Sequence, residues 1–597
     1  MASLIQALLL IATVWTARWL WGVLSSRRIL NNIPGPRSPS LLTGHLKEIF
    51  SFDGWDFHHE LGEKYGGVVR IDGMLGVRYS VQEKQLYVFD PKSLHQILVK
   101  VPETWAEFVL SLPIQDHNIF EEPHFVIRGT RVFFGEGILS TLGAAINFRY
   151  IFSGVYLNAG EQHKKQRKML NPVFSAAHLR QMVPIFFGVG KRLRGALESR
   201  VQNGPKEVSR PFNHPQLWMT RTALELVGQA GLGYSFDPLD TDEIPPYIQS
   251  VKQMQVTSHK MALAARYILP WAVTIGSPKF RRFIVGIVPW KNLHDVRDIL
   301  DTLYSTAVHI YNSKKAALEA GDEAVSSQIA NGKDIHQHFN NASLSERLSE
   351  DEIIGQLKCV CISPTTDSGV TSAMHPTVAY HDLPATSSAL SRTLHLLAQY
   401  PDVQEKLRQE IRSAQQEGAD ISYDQLNSMV YLDAICRETL RLYPPLSFIP
   451  RTTRKDVALT TSTPVTTVDG STVTEVPVPA GTEIFVSILA SNRNPAIWGP
   501  DSFEWKPERW LSSLSQSVAD AHVPGIYSNL MTFNGGGRAC IGFKFSQLEM
   551  KVVLCLLVER FKFSLSDKDI SWQMSSIAVP SVDGTKLQLP LKVELAA

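Results

Sequence analysis

A mainly α fold with a small β region, set behind an N-terminal transmembrane helix, is the reading of this chain, and three observations carry it. Helix-period apolar patterns recur at 222–232, 389–399, 431–443 and 543–561. β-prone stretches are short and scattered, at 68–71, 457–468, 483–486 and 587–593. Residues 2–24 are mostly apolar, with Trp15, Trp19 and Trp21 toward the far end.

That first run is just long enough to span a bilayer core. Arg18 lies near one end, where it snorkels to the interface, and Arg27 and Arg28 place the following chain in the cytosol. No positive region precedes the run and no small-x-small site ends it, so an uncleaved anchor is preferred to a signal peptide. We therefore divide the chain into an anchor (1–26), a proline-rich hinge (27–45) and one large unit (46–597). Pro34, Pro36 and Pro39 make the hinge stiff, because proline fixes φ and donates no hydrogen bond.

Composition narrows the class. The 597 residues carry 59 Lys+Arg against 57 Asp+Glu, which speaks against a nucleic-acid partner, and 44% hydrophobic residues allow a large core. The cysteines Cys359, Cys361, Cys436, Cys540 and Cys555 are sparse and odd in number, as expected in a reducing compartment. Neither a repeat nor a Walker or dinucleotide fingerprint occurs. In 431–443, Leu432, Ile435, Cys436, Leu440 and Leu442 form the apolar set, and Pro444-Pro445 stops the helix. Glu438 and Arg441, three apart, share a face there.

Cys540 is the most informative residue. A lone cysteine is most often a small buried hydrophobe. This one sits in a glycine-rich loop, two residues after Arg538, with a helical run behind it. Glycines let a backbone pass close to a large flat ligand. A helix start beside the sulfur lowers a thiol pKa toward thiolate, and an arginine can fork onto a carboxylate. The pattern Phe-x-x-Gly-x-Arg-x-Cys-x-Gly, formed by Phe533, Gly536, Arg538, Cys540 and Gly542, resembles the heme-binding signature of cytochrome P450.

The resemblance is to fungal-type microsomal heme-thiolate monooxygenases and implies the cytochrome P450 fold. It also implies heme b, with Cys540 as its axial iron ligand, whose thiolate favours O–O cleavage. Glu438-x-x-Arg441 followed by Pro507-Glu508-Arg509-Trp510 looks like the family's buried Glu-Arg-Arg network. On that likeness Glu438, Arg441 and Arg509 assemble the heme site without taking part in the chemistry. His163, Arg167, Arg451 and Arg538 match positions that address the heme propionates. Phe533, Gly536 and Gly542 complete the cofactor loop. Lys164, Lys165 and Lys168 either dock an acidic reductase or form a solvated face.

No flavin or nicotinamide module is visible, so the resemblance implies an NADPH-dependent cytochrome reductase as electron source. It likewise implies an apolar small-molecule substrate and a lipid bilayer as partner. The corresponding address is the endoplasmic reticulum membrane, single-pass, with the catalytic unit cytosolic. Phe186, Phe187 and Phe212 read equally as core or as substrate pocket.

One stretch departs from the family. An Ala/Gly-Gly-x-Asp/Glu-Thr core, whose acid and hydroxyl relay protons, belongs just before Ser387. Here Pro384 stands at the acid position and Ala385 at the threonine position. Thr386, one residue late and about 100° around a helix, is the only nearby hydroxyl candidate for oxygen activation. Residues 359–385 are rich in Ser, Thr, Pro and Gly, and Asp382 looks like the N-cap of a new helix. The stretches 101–115 and 144–160 also look inserted. Translated introns or a gene-model error are the expected origin of some or all of these segments, against tolerated surface loops. Two other readings stay open: a peroxide-using or hydroperoxide-rearranging heme-thiolate enzyme, and an inactive heme binder or mis-spliced product.

Overall fold

The structure is a computed structural model and describes residues 29–75, 82–99, 119–123, 159–202, 215–241, 243–250, 261, 268–273, 275–320, 348–355, 357, 385–415, 419–574, 577–584 and 587–596. The anchor, the stretch 101–115, nearly all of 144–160 and 359–385, Asp382, Cys359, Cys361 and Phe212 lie outside the described residues. Among those described, no helix is long and apolar enough to cross a membrane.

Eleven helices of eight residues or more dominate the described chain. They are α1 (Trp55–Tyr65), α2 (Pro91–Leu98), α3 (Ala159–Leu170), α4 (Ala176–Gln202), α5 (Pro215–Val227), α6 (Pro278–Ile287), α7 (Lys291–Ala320), α8 (Ala385–Gln399), α9 (Pro401–Ala414), α10 (Val430–Leu442) and α11 (Phe543–Arg560). Local chemistry explains several ends. Asp90 caps α2 by accepting from the Ser93 N–H at 3.0 Å, with Pro91 in the first turn. Pro401 likewise stands in the first turn of α9, there without a side-chain cap, and α10 stops before Pro444-Pro445.

The run behind Cys540 is buried on nearly every side as α11, as expected of a helix apolar all round. It packs on α4, α8, α9 and α10. Gly190 of α4 permits close approach, since a Cβ there would stand 2.4 Å from Leu556 Cδ1. Phe186 and Phe187 are buried in this core, and Phe186 lies 4.8 Å from the Phe545 ring.

Thirteen short strands are described: β1 (Val68–Leu75), β2 (Gln82–Val88), β3 (Phe120–Glu121), β4 (Phe448–Thr453), β5 (Val457–Thr466), β6 (Thr472–Val478), β7 (Glu483–Ser487), β8 (Gly525–Tyr527), β9 (Leu530–Gly535), β10 (Phe561–Leu565), β11 (Ile570–Gln573), β12 (Val579–Val582) and β13 (Leu591–Leu595). The largest sheet runs β1-β2-β7-β4-β3, with β2 and β7 parallel and its other pairs antiparallel. The remaining strands form two-stranded pairs. Small sheets around a helical core agree with the expected mainly α class.

Candidate active site

The cysteine loop is built by backbone bonds. β9 leads into a single 3₁₀ turn, Gly536–Arg538, where Ala539 N donates to Gly536 O at 3.1 Å. Cys540 N then donates back to Phe533 O at 2.9 Å, and Ser546 N to Gly542 O starts α11. Asn534 occupies the left-handed region, and its side-chain Oδ1 accepts from Gly535 N at 2.8 Å. Gly536 does so too, at φ 66°, and a Cβ there would stand 1.9 Å from Leu98 O. The loop therefore lies directly on the last turn of α2, which only glycine allows.

Cys540 is half-buried and in no disulfide. The thiols of Cys436 and Cys555 are fully buried, and desolvation pushes Cys436 up to about 12 and Cys555 higher still. Those two are protonated core residues.

Three arginines and one histidine meet at this loop. Arg167, on α3, donates from Nη1 to Ala539 O at 2.7 Å, next to Cys540. His163, one turn earlier, is held down to about 3 by burial first and then by the charges of Arg538 and Arg167. It is neutral at pH 7. Arg451, buried on β4, donates to Pro450 O at 2.8 Å. Desolvation lowers its pKa, the Glu122 carboxylate acts against that, and Arg538 adds to it. The fold thus brings together His163, Arg167, Arg451 and Arg538. Glu122 carried no signal in the sequence; it follows β3, whose pairing with β4 sets its charge near Arg451. Arginines crowded beside a glycine-rich loop suit a flat cofactor that carries carboxylates.

Behind the loop, Glu438 and Arg441 are each 0% exposed and joined by two bonds of 2.8 Å. Arg509 Nε reaches Glu438 at 3.4 Å and its Nη1 reaches Asp501 Oδ1 at 2.8 Å. Trp510 Nε1 and Lys506 N also donate to Glu438, at 2.9 and 3.1 Å. Arg441 Nη1 donates to Asn492 O at 3.0 Å, and Asn492 is the link to the cysteine strand. Its amide accepts from Met531 N and donates to Thr532 Oγ1, both at 2.8 Å, while Thr532 donates to Leu440 O. Asn492 and Thr532 carried no recognisable pattern in the sequence. The network ties β9 to α10 two residues ahead of the cofactor loop.

The profile of the cytochrome P450 family matches residues 125–584. The chain belongs to that family. Cytochrome P450 monooxygenase 91 of Postia placenta is 43% identical over 599 residues, covering 100% of this chain and 99% of that protein. A ganoderic acid synthetase of Ganoderma lucidum is 36% identical, covering 99% of each. A cytochrome P450 crystal structure superposes with a TM-score of 0.63 at 18% identity, over 92% of this chain and 99% of that one, a likeness of fold.

This P450 is a monooxygenase, an oxidoreductase whose family binds heme b through an axial cysteine thiolate. Cofactor and donor set agree: the loop offers a thiol, and the neighbouring arginines offer donors for carboxylates. Thr386 lies buried in the first turn of α8, one residue from the start of that helix. The P450 residues that precede it, 358–384, lie outside those described. Lys165 and Lys168 belong to α3, with Lys168 exposed.

Proposed function

We propose that Cys540 is the axial ligand of heme b and that this enzyme inserts one atom of dioxygen into an apolar small molecule. Electrons come from NADPH through a separate reductase. The observation that carries the assignment is the meeting of Arg167, Arg451 and Arg538 with neutral His163 around the one half-buried cysteine among the described residues. When bound, heme supplies the site of oxygen reduction, and a thiolate ligand favours O–O cleavage.

The chain's own residues do the rest. Arg451 and Arg538 neutralise the propionates, and Arg167 spends one donor on Ala539 O to hold the loop against α3. His163, uncharged, donates or accepts one hydrogen bond without adding repulsion. Glu438, Arg441 and Arg509 keep β9 in place through Asn492. Thr386 offers a hydroxyl for delivering a proton to the oxygen substrate.

The proposal extends to location. Residues 2–24 anchor the protein once in the endoplasmic reticulum membrane, with Arg27 and Arg28 keeping the catalytic unit cytosolic. Carbonate-resistant membrane association that disappears on deleting 1–26 is the expected result.

Wild-type protein should give the thiolate-type band in a reduced-CO difference spectrum and Cys540→Ser should not. An unchanged spectrum in that variant overturns the assignment. A peroxide-using enzyme is the second reading, favoured by Pro384 and Ala385 at the relay positions. Peroxide-driven turnover without any NADPH-driven turnover in the presence of reductase would establish it. We also propose that some or all of 101–115, 144–160 and 359–385 are translated introns or a gene-model error. The presence of all three in the dominant mature transcript refutes that.

A further inference from the structure

A cleft of about 420 Å³ opens between α1 and the segment 489–503. None of its lining residues belongs to the cysteine loop or to the cations around it. Its volume is that of a site for a drug-sized molecule. Phe89, Leu489, Ala490 and Phe503 supply apolar wall. His59 stands edge-on to Phe503 at 4.4 Å and pairs with exposed Glu63 at 3.3 Å.

Arg493 is the charged group this surface leaves unanswered. Its Nε donates to Leu442 O at 2.6 Å. Its guanidinium lies 5.1 Å from the Trp55 ring centre and 5.3 Å from that of Tyr443. Among the described residues neither Nη group has a hydrogen-bond partner and no carboxylate pairs with it. Desolvation lowers its pKa to about 9, with Arg392 and Arg441 adding to the fall and Tyr443 and Tyr87 opposing it. The group therefore stays protonated at pH 7. His58 also lines the cleft but is held neutral, at about 4, chiefly by burial. Its ring nitrogens are taken by Tyr87 OH and Ile49 O. A guanidinium stacked on aromatic rings keeps its outer edge available for a bidentate carboxylate.

We propose that this cleft is a second binding site, for an apolar molecule bearing a carboxylate. The carboxylate meets the Nη edge of Arg493, and the apolar body lies against Phe89, Leu489 and Phe503. The site is independent of the Cys540 assignment.

Full-length holoprotein is labelled with decanoic acid carrying a diazirine at its tail, and the modified peptides are mapped. Label should fall within 55–63 or 489–503, be displaced by decanoate, and resist displacement by 1-decanol. Gly62→Leu projects a side chain into the cleft, since a Cβ there lies in ordinary contact 3.7 Å from Phe89 Cζ. It should cut labelling by about tenfold or more, as should Arg493→Gln, in line with loss of a desolvated charge pair. Labelling elsewhere only, labelling unaffected by Gly62→Leu, or equal competition by 1-decanol overturns the proposal. Should Arg493→Gln not fold, Gly62→Leu and the alcohol comparison still decide. A shift of the heme band without label in these peptides counts against the cleft and leaves the heme assignment standing.

Discussion

Exchanging Glu438 for glutamine removes one charge and almost no volume, so it isolates what the carboxylate does. Its Oε2 receives Arg441 Nε at 2.8 Å and Trp510 Nε1 at 2.9 Å. Its Oε1 receives Arg441 Nη2, Lys506 N and Arg509 Nε at 2.8, 3.1 and 3.4 Å. Whichever way a carboxamide turns, its NH₂ faces at least two donors that then lack an acceptor. Each buried donor so stranded costs about 1–3 kcal/mol. The sum brackets the about 3–5 kcal/mol typical of breaking a buried ion pair on one side. A domain with about 5–15 kcal/mol of stability would lose a large fraction of it. Urea titration of the holoprotein, followed by both tryptophan fluorescence and heme absorbance, measures the loss at constant slope. Arg509→Gln should cost less, because Arg509 is partly exposed and its other contacts, Trp498 O and Asp501, lie at the network's edge. A Glu438→Gln loss below about 1 kcal/mol, the size of an exposed pair, would refute the argument.

Gly536→Ala should reduce heme content, since its Cβ would strike Leu98 O at φ 66°, whereas Gly537→Ala meets no protein atom within 4 Å and should leave the apoprotein's urea midpoint unchanged. Stability should fall with acid through the buried histidines. His58 and His395 drop from 6.5 to about 4 on folding, chiefly by desolvation, so their contribution is full above pH 6.5 and lost toward pH 4. His58→Gln should flatten the urea midpoint across that window, and an unaltered slope would exclude His58 as a source. Thr386→Ala should lower product formed per NADPH consumed while sparing peroxide-driven turnover; an equal yield removes Thr386 from proton delivery.

Legibility followed the range of the forces involved. The cysteine loop could be read because five residue types at set spacing serve one short backbone path. The Glu438–Arg441 spacing is the same for an exposed pair and a buried one; burial comes from Trp510, Lys506 and Arg509 arriving about seventy positions later. The apolar period in α8 was visible only from 389, yet the helix starts at Ala385. Its first turn is polar and nonetheless buried, with Ser388 donating to Ala578 O at 2.5 Å. In α5 the early turns were hidden by Arg221, which is buried against Asp237, a partner sixteen residues on. The segment read as helix at 222–232 changes to a π turn at Gly228–Leu232. Periodicity locates a face but says nothing about what a distant strand will bring to it.

Glu549 takes that argument one step further, to charge. It interrupts the apolar run of α11 as an ordinary acid would. In the fold it is 0% exposed, and burial alone pushes its carboxyl up to about 8. At pH 7 it is protonated, and replacing it with glutamine should therefore leave stability near neutrality almost unchanged. The same replacement at Glu438 should be severe. Two glutamates, each followed by a basic residue in its helix, meet different surroundings: Glu438 accepts from Arg441 at 2.8 Å, and Glu549 has no hydrogen-bond partner among the described residues and is desolvated. Protonation state, and with it the chemistry a side chain can perform, is decided by neighbours that only the folded chain assembles.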